Sequence, residues 1–448
     1  MELKEFLKNA AHVKPSENQL RMLRETPFYA FVHFCPNTYT DLEWGTGKES
    51  PALFNPTELD CEQWVKAIKS AGMKGMVLTA KHHDGFCLWQ TKYTEHSMKN
   101  SPYKNGKGDI VKEAAEACKK YGLKFGFYLS PWDRNSQYYG TDEYNTYYKN
   151  QLTELLTNYG KIFHVWFDGA CGEGPNGKKQ VYDMDGYIEL VKKYQPEATV
   201  FQDGGNIRWC GNEAGLAPFA QWAVVPVELC PLNETQTKGA LMEGSLEFTY
   251  NTDITIGSIQ QIMYSKGLVF APAETDMSIR PGWFYHENEK PHSLERLFTT
   301  YLRTVGNNST FNLNIPPMPN GKFNAEDVKR LKELGELIEN EFNVNLAEGI
   351  EFTTHPGYGE TQPEYTLKLT KEEKIKYIEI AEKIENGQRV ESFTVFSRKD
   401  NSHWEEKARD TTIGSRKILR FDEFSADEIK ITITSSRYAP EIEWIKIY

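Results

Sequence analysis

Short β-type runs alternate with amphipathic helical runs through the first two thirds of the chain. This alternation restricts the fold more than any other feature, because parallel strands need a crossover between them and a helix usually supplies it. Segments 28–33, 75–80, 124–129, 162–167 and 199–202 read as the first five strands. Segments 221–224, 268–271 and 310–313 supply three more. Between them, Asp60 caps a helix that buries Trp64, Val65, Ile68 and Ala71, and Gly72 stops it. Asp109 caps a second, with Val111, Ala114, Ala115 and Cys118 inward and Gly122 at its end. Further helices are predicted near 141–158 and 183–194. Eight β/α units over about 340 residues predict an α/β fold, an irregular TIM-like (β/α)8 barrel. It is irregular because the gap between the fifth and sixth strands is too short for a full helix. A doubly wound open sheet is the rival, weakened because no G-x-G-x-x-G follows the first strand.

A helix over 325–342 (Val328, Leu331, Leu334, Leu337, Ile338) closes this unit, after which the apolar period drops from 3.6 to 2. Segments 377–380, 429–433 and 442–447 read as half-buried strands. The chain therefore divides into a (β/α)8-like barrel, 1–344, and a C-terminal all-β sandwich, 345–448. Its seven cysteines all precede residue 231 and include no C-x-x-C pair, which argues against a disulfide framework or thiolate zinc site. A net charge of −11 without a basic run argues against nucleic acid or an anionic membrane as partner. No apolar stretch approaches the ~20 residues of a membrane span. The N-terminal residues show no signal peptide, so the expected location is cytoplasmic, or periplasmic or secreted if a signal has been removed. The 10 Trp and 24 Tyr suit either a large aromatic core or a sugar-binding cleft.

A barrel carries its active site where its strands end. Those positions hold His33; Lys81, His82, His83 and Asp84; Tyr128, Ser130 and Trp132; Asp168; and Asp203 with the loop 206–213. The loop after the seventh strand is expected to carry Glu274, Asp276, Arg280, Trp283 and Tyr285. Asp168 directly follows a buried strand, a rigid mount for a nucleophile, although an Asp-Gly pair also suits a simple turn. Glu213, 45 residues later, can face it and supply the second carboxyl that glycoside hydrolysis needs. By spacing alone, Glu173, Glu43 and Asp203 compete with it. His33, His82 and His83 could bind sugar hydroxyls or, as neutral imidazoles, a metal, but no H-x-H pair or H-E-x-x-H helix accompanies them. Trp44, Trp132, Trp209 and Trp283 fall in predicted loops, as anchors or as stacking platforms for sugar rings. His164 lies within a strand and reads as structural.

Segments 31–44 (FVHFCPNTYTDLEW), 79–89 (TAKHHDGFCLW), 124–134 (KFGFYLSPWDR), 165–174 (VWFDGACGEG), 206–213 (NIRWCGNE) and 278–286 (SIRPGWFYH) together resemble glycoside hydrolase family 29, the retaining α-L-fucosidases. The resemblance implies Asp168 as nucleophile. The R-W-x-G-N-E and D-G-A-C-G-E-G sequences are similar to the subgroup selective for α-1,3/1,4-linked fucose in Lewis-type glycans. That subgroup implies Glu213 as acid/base. The family resemblance further implies fucose binding by His33, Glu43, Trp44, His82, His83, Tyr128 and Trp283, no cofactor, and a fucosylated oligosaccharide or glycoconjugate as partner. Alternatives are a broad-specificity α-L-fucosidase, a metal-dependent hydrolase using the three histidines, and a glycan-binding protein on an inactive barrel.

Overall fold

The computed structural model describes residues 1–201, 205–231, 235–244, 246, 248 and 255–448. Eight of its strands pair in parallel: Phe28–Val32, Gly75–Lys81, Lys124–Leu129, Ile162–Trp166, Thr199–Phe201, Arg208–Trp209, Ala273–Ser278 and Ser309–Asn314, here the first to eighth. The first lies between the second and the eighth, and the seventh between the eighth and the sixth. A parallel bridge from Phe201 to Ile207 brings the fifth beside the sixth, so the sheet returns on itself as a TIM-like barrel. Helices Cys61–Ser70, Ile110–Tyr121, Asp142–Asn158, Met184–Tyr194 and Leu294–Thr304 make the crossovers. The expected caps are present: Asp60 accepts from the Gln63 N–H at 2.9 Å and Asp109 from the Lys112 N–H at 2.8 Å. Gly122 ends the second of these helices at φ 69°, a conformation glycine adopts without a Cβ clash.

Period-2 alternation then decides which side chains meet inside the barrel. Phe28, Ala30 and Val32 pack against the helices, whereas Tyr29 and Phe31 turn inward with Val77, Tyr128, Trp166, Phe201 and Ile207. Continuing the same alternation past the strand ends points His33 and Asp168 to the mouth.

Two strand assignments are corrected. Segments 221–224 and 268–271 do not supply the sixth and seventh barrel strands. Val224–Pro226 and Gly267–Phe270 pair antiparallel in a small separate sheet with Thr237–Lys238. The true sixth and seventh strands are short or polar, and Glu274 and Asp276, expected in a loop, lie on the seventh. Its sequence, AETDMS, shows no apolar pattern because part of the barrel interior is polar. The buried Glu274 carboxylate is satisfied there by Tyr29 Oη, Trp166 Nε1 at 2.8 Å and Asn312 Nδ2 at 3.1 Å, with His164 Nε2 at 3.1 Å. The predicted strand residue Gln202 lies outside the described residues.

Beyond helix Ala325–Phe342, a six-stranded antiparallel sheet is built around the long strands Glu364–Glu382 and Lys417–Ser436, each interrupted by register shifts. It encloses its own core of Leu367, Ile378, Ile380, Phe393, Val395, Ile431 and Ile433. Tyr377 and Ile418 reach instead into the barrel's outer core. Among the described residues, no helix is long and apolar enough to cross a membrane.

Helix Ala325–Phe342 crosses helix Cys61–Ser70 at Gly335, where an added Cβ would lie 1.8 Å from the Ser70 carbonyl oxygen. Alanine has the better helix propensity by about 1 kcal/mol, but overpacking a closed contact costs about 1–3 kcal/mol. Because the neighbour is backbone, the clash wins. Gly335→Ala should lower the midpoint of denaturant unfolding, and a raised midpoint would contradict the close crossing.

Candidate active site

The mouth of the barrel is assembled strand by strand. His33, just beyond the first strand, places Nδ1 2.8 Å from Asn314 Oδ1, which also accepts the His33 backbone N–H. Asn314 Nδ2 donates to Ser278 Oγ and to the Trp283 carbonyl, both at 2.8 Å, so its Oδ1 is an acceptor. His33 therefore carries its proton on Nδ1 and leaves Nε2 free to accept. Burial pushes its pKa down to about 3, so the ring stays neutral.

At the end of the second strand the chain turns, bringing the rings of His82 and His83 to 4.2 Å between centroids. Both side chains thus reach the same mouth. Burial, with the neighbouring histidines, holds His82 well below its ordinary value. His83 donates from Nδ1 to Ser130 Oγ at 2.7 Å, because Ser130 spends its own proton on the Trp132 carbonyl. Its Nε2 faces Asp168 Oδ2 at 3.7 Å, too far for a direct hydrogen bond.

Asp168 is held at both oxygens. Oδ2 accepts from the Tyr128 hydroxyl at 2.9 Å and Oδ1 from the Ala170 N–H at 2.8 Å. The Ala170 bond is the simple turn an Asp-Gly pair suggests, but the Tyr128 bond aims the carboxylate at the mouth. Burial and the Asp168 charge keep the Tyr128 phenol protonated.

Glu213 reaches the same mouth from the loop after the sixth strand. Its Oε2 accepts from Trp283 Nε1 at 3.0 Å. Desolvation by surrounding protein raises its pKa; the Trp283 bond opposes this, and the charges of Asp168 and Glu43 add to the rise. Trp283 is itself fixed, its ring 5.1 Å from that of His33 and its backbone N–H bonded to Glu43 Oε2 at 2.9 Å. Glu43 Oε1 accepts from the Phe284 N–H at 3.2 Å. Trp44, 58% exposed, stands edge-on to Trp132 and His83.

The nine residues singled out in the sequence thus meet at one rim: His33, Glu43, Trp44, His82, His83, Tyr128, Asp168, Glu213 and Trp283. Other rim expectations go elsewhere. Arg280 is buried against Asp327 at 2.8 Å, and Glu274 and Asp276 lie below the mouth. Trp209 is on the sixth strand, and Asp203 lies outside the described residues. A carboxylate pair, neutral imidazoles and exposed indole suit a polyhydroxylated ring with apolar faces.

Comparison with known proteins agrees. A family model described as alpha-L-fucosidase matches residues 16–341. The chain is 40% identical to Alpha-L-fucosidase 1 of Arabidopsis thaliana, over 93% of this chain and 84% of that protein. It belongs to glycoside hydrolase family 29, the α-L-fucosidases. Two solved members share its fold. One, from an unknown rumen bacterium, is 38% identical with a TM-score of 0.84, covering 98% of this chain and 77% of its own. The other, a Ruminococcus gnavus fucosidase in complex with fucose, is 31% identical with a TM-score of 0.82, covering 98% and 95%.

Two residues of this fucosidase's rim were missed in the sequence. Asn314 would have emerged had the eighth strand been read one residue further. His286, which ends the segment 278–286, carries no periodic signal. Among the described residues, no group of three or more His, Cys, Asp or Glu is placed to hold a metal ion. A separate cavity of about 700 Å³ lies at the opposite end of the barrel, beside Phe125 and Phe163. Its acids Glu25, Glu116 and Glu197 are paired with Lys124, Lys112 and Lys161.

The Trp283 indole N–H lowers the Glu213 pKa, so removing it should raise that value further. Trp283→Phe is expected to shift the Glu213 carboxyl titration, followed by isotope-edited NMR, to higher pH. An unchanged or lower midpoint would contradict the bond.

Proposed function

We propose that this α-L-fucosidase is an exo-acting, retaining enzyme that removes α-1,3/1,4-linked fucose from Lewis-type glycans. The observation that carries the reading is that Asp168 and Glu213 face one mouth in different settings. Asp168 accepts from two donors, and the Glu213 pKa is held above the ordinary carboxyl value. A nucleophile gains from such fixing and a general acid from such a rise.

In this mechanism an Asp168 oxygen attacks the anomeric carbon while the bond to the aglycone oxygen breaks. Glu213 gives its proton to that departing oxygen. The carboxylate becomes a neutral ester in the fucosyl-enzyme, so one of the charges that raised the Glu213 pKa is gone. Glu213, now ionised, takes a proton from water as the water's oxygen displaces Asp168, and the free carboxylate returns. Two inversions at one carbon give net retention, for which the carboxyls stand ~5–5.5 Å apart in such enzymes.

His33, His82, His83, Tyr128 and Glu43 are assigned to the ring hydroxyls. His33 and His83 spend their Nδ1–H inside the protein, so each offers Nε2 as an acceptor to a hydroxyl O–H. Trp44 and Trp283 cover apolar ring faces and the C5 methyl. The Ruminococcus gnavus relative solved with fucose supports the sugar class. The linkage assignment is supported by the R-W-x-G-N-E and D-G-A-C-G-E-G segments.

Asp168→Ala should lose several powers of ten in kcat while still folding, with turnover partly restored by azide. Near-normal turnover would refute the nucleophile assignment. Wild-type hydrolysis should strongly favour a Lewis trisaccharide over a 2-linked fucosyl disaccharide. Equal rates on both would replace the linkage assignment with broad specificity.

A further inference from the structure

His286 ends the segment 278–286 and has no part in the chemistry above. Its side chain is 17% exposed and stands between two carboxylates. Nε2 is 2.7 Å from Glu43 Oε1, and Nδ1 is in hydrogen-bond contact with Asp41 Oδ1. A neutral imidazole carries one N–H, so it can satisfy one of these oxygens and must turn a lone pair towards the other. Only the imidazolium donates to both.

The packing leaves no slack around this contact. A side-chain carbon on Gly282 would fall 2.7 Å from Glu43 Oε1 and 2.7 Å from the His286 ring. Glycine there lets the backbone approach the pair closely. Asp41 holds a left-handed backbone conformation, φ 58°, which aspartate tolerates better than most residues. Its carboxylate is 82% exposed against 39% for Glu43, so the Glu43 contact is the less screened of the two.

Glu43 passes the contact on. Its two oxygens hold the Trp283 and Phe284 N–H groups, and the Trp283 indole reaches Glu213. We propose that His286 is a positioning residue. As an imidazolium bridging Asp41 and Glu43, it latches the loop after the first strand to the loop after the seventh and so keeps Trp283 on Glu213. This rests on the proposed role of Glu213 as the acid. The charged groups facing the ring are Asp41 and Glu43 from the loop after the first strand and Glu289 from its own loop. Burial disfavours the charged ring, but these acids outweigh it and hold the His286 pKa above its ordinary value. Deprotonation therefore opens one of the two contacts on the alkaline side.

The test measures kcat and KM on a Lewis trisaccharide across pH for the wild type, His286→Phe and His286→Gln. His286→Phe should show a tenfold or larger loss in kcat/KM at acidic to neutral pH. That loss should shrink at alkaline pH, where the wild-type latch has itself opened. His286→Gln keeps an uncharged donor group and should recover part of the activity with no such pH dependence in its own latch. A loss by the same factor at every pH would mean a merely structural role and overturn the proposal. NMR titration of the His286 ring in the wild type tests it without any variant: a midpoint above about 6.5 is expected, and one at or below it overturns the latch. Absence of Lewis trisaccharide turnover in the wild type would count against the proposed function instead, and the ring titration would still decide the latch.

Discussion

Two backbone N–H groups, those of Trp283 and Phe284, end on the carboxylate of Glu43, and the rim of the barrel is organised around that junction. It ties the loop after the first strand to the loop after the seventh, which no sheet pairing does. Hydrogen bonds to a charged group contribute about 1.5–3 kcal/mol each, enough to hold a loop in one conformation. The fixed loop presents an indole N–H to Glu213 from one side and packs against His33 from the other. A loop tryptophan becomes a rigid element, and the acid it touches acquires a defined place.

The other half of the site depends on the barrel's interior. Glu274 is a buried carboxylate that would be costly alone, but Tyr29, Trp166 and Asn312 donate hydrogen bonds to it. Trp166 is thereby fixed at its indole nitrogen, and its ring stacks on Phe201 at 4.1 Å. Asp168 is two residues further along the same chain direction. The polar floor thus anchors the mount of one carboxylate, and the Glu43 junction anchors the partner of the other. Tyr128 and His33 fill the space between, so the mouth is continuous from Asp168 to Glu213.

Much of this was legible in the sequence because local rules and the global fold agree. Asp60, Asp109 and Gly122 mark helix ends by the chemistry of unsatisfied backbone groups, and the structure uses each of them so. The strand-end rule found His33, His82, His83, Tyr128 and Asp168 because parallel strands share one C-terminal rim. It failed on the sixth and seventh strands for a physical reason. Hydrophobic periodicity detects strands that bury apolar side chains, and the strand bearing Glu274 and Asp276 buries polar ones. Nor could it show that Glu43, expected to bind the sugar, also accepts the Trp283 and Phe284 backbone N–H groups. The remaining gap is His286, whose importance lies in contacts to residues more than 240 positions away.

The account reduces to a division of labour between two carboxyls: one bonded to carbon for part of each cycle, the other only to hydrogen. A slow fluorinated fucosyl substrate that accumulates the covalent intermediate, followed by proteolysis and mass analysis, reads that division directly. The label should sit on the peptide bearing Asp168 and be released by water or an acceptor sugar. A label on Glu213, or full turnover with no covalent species, would contradict it.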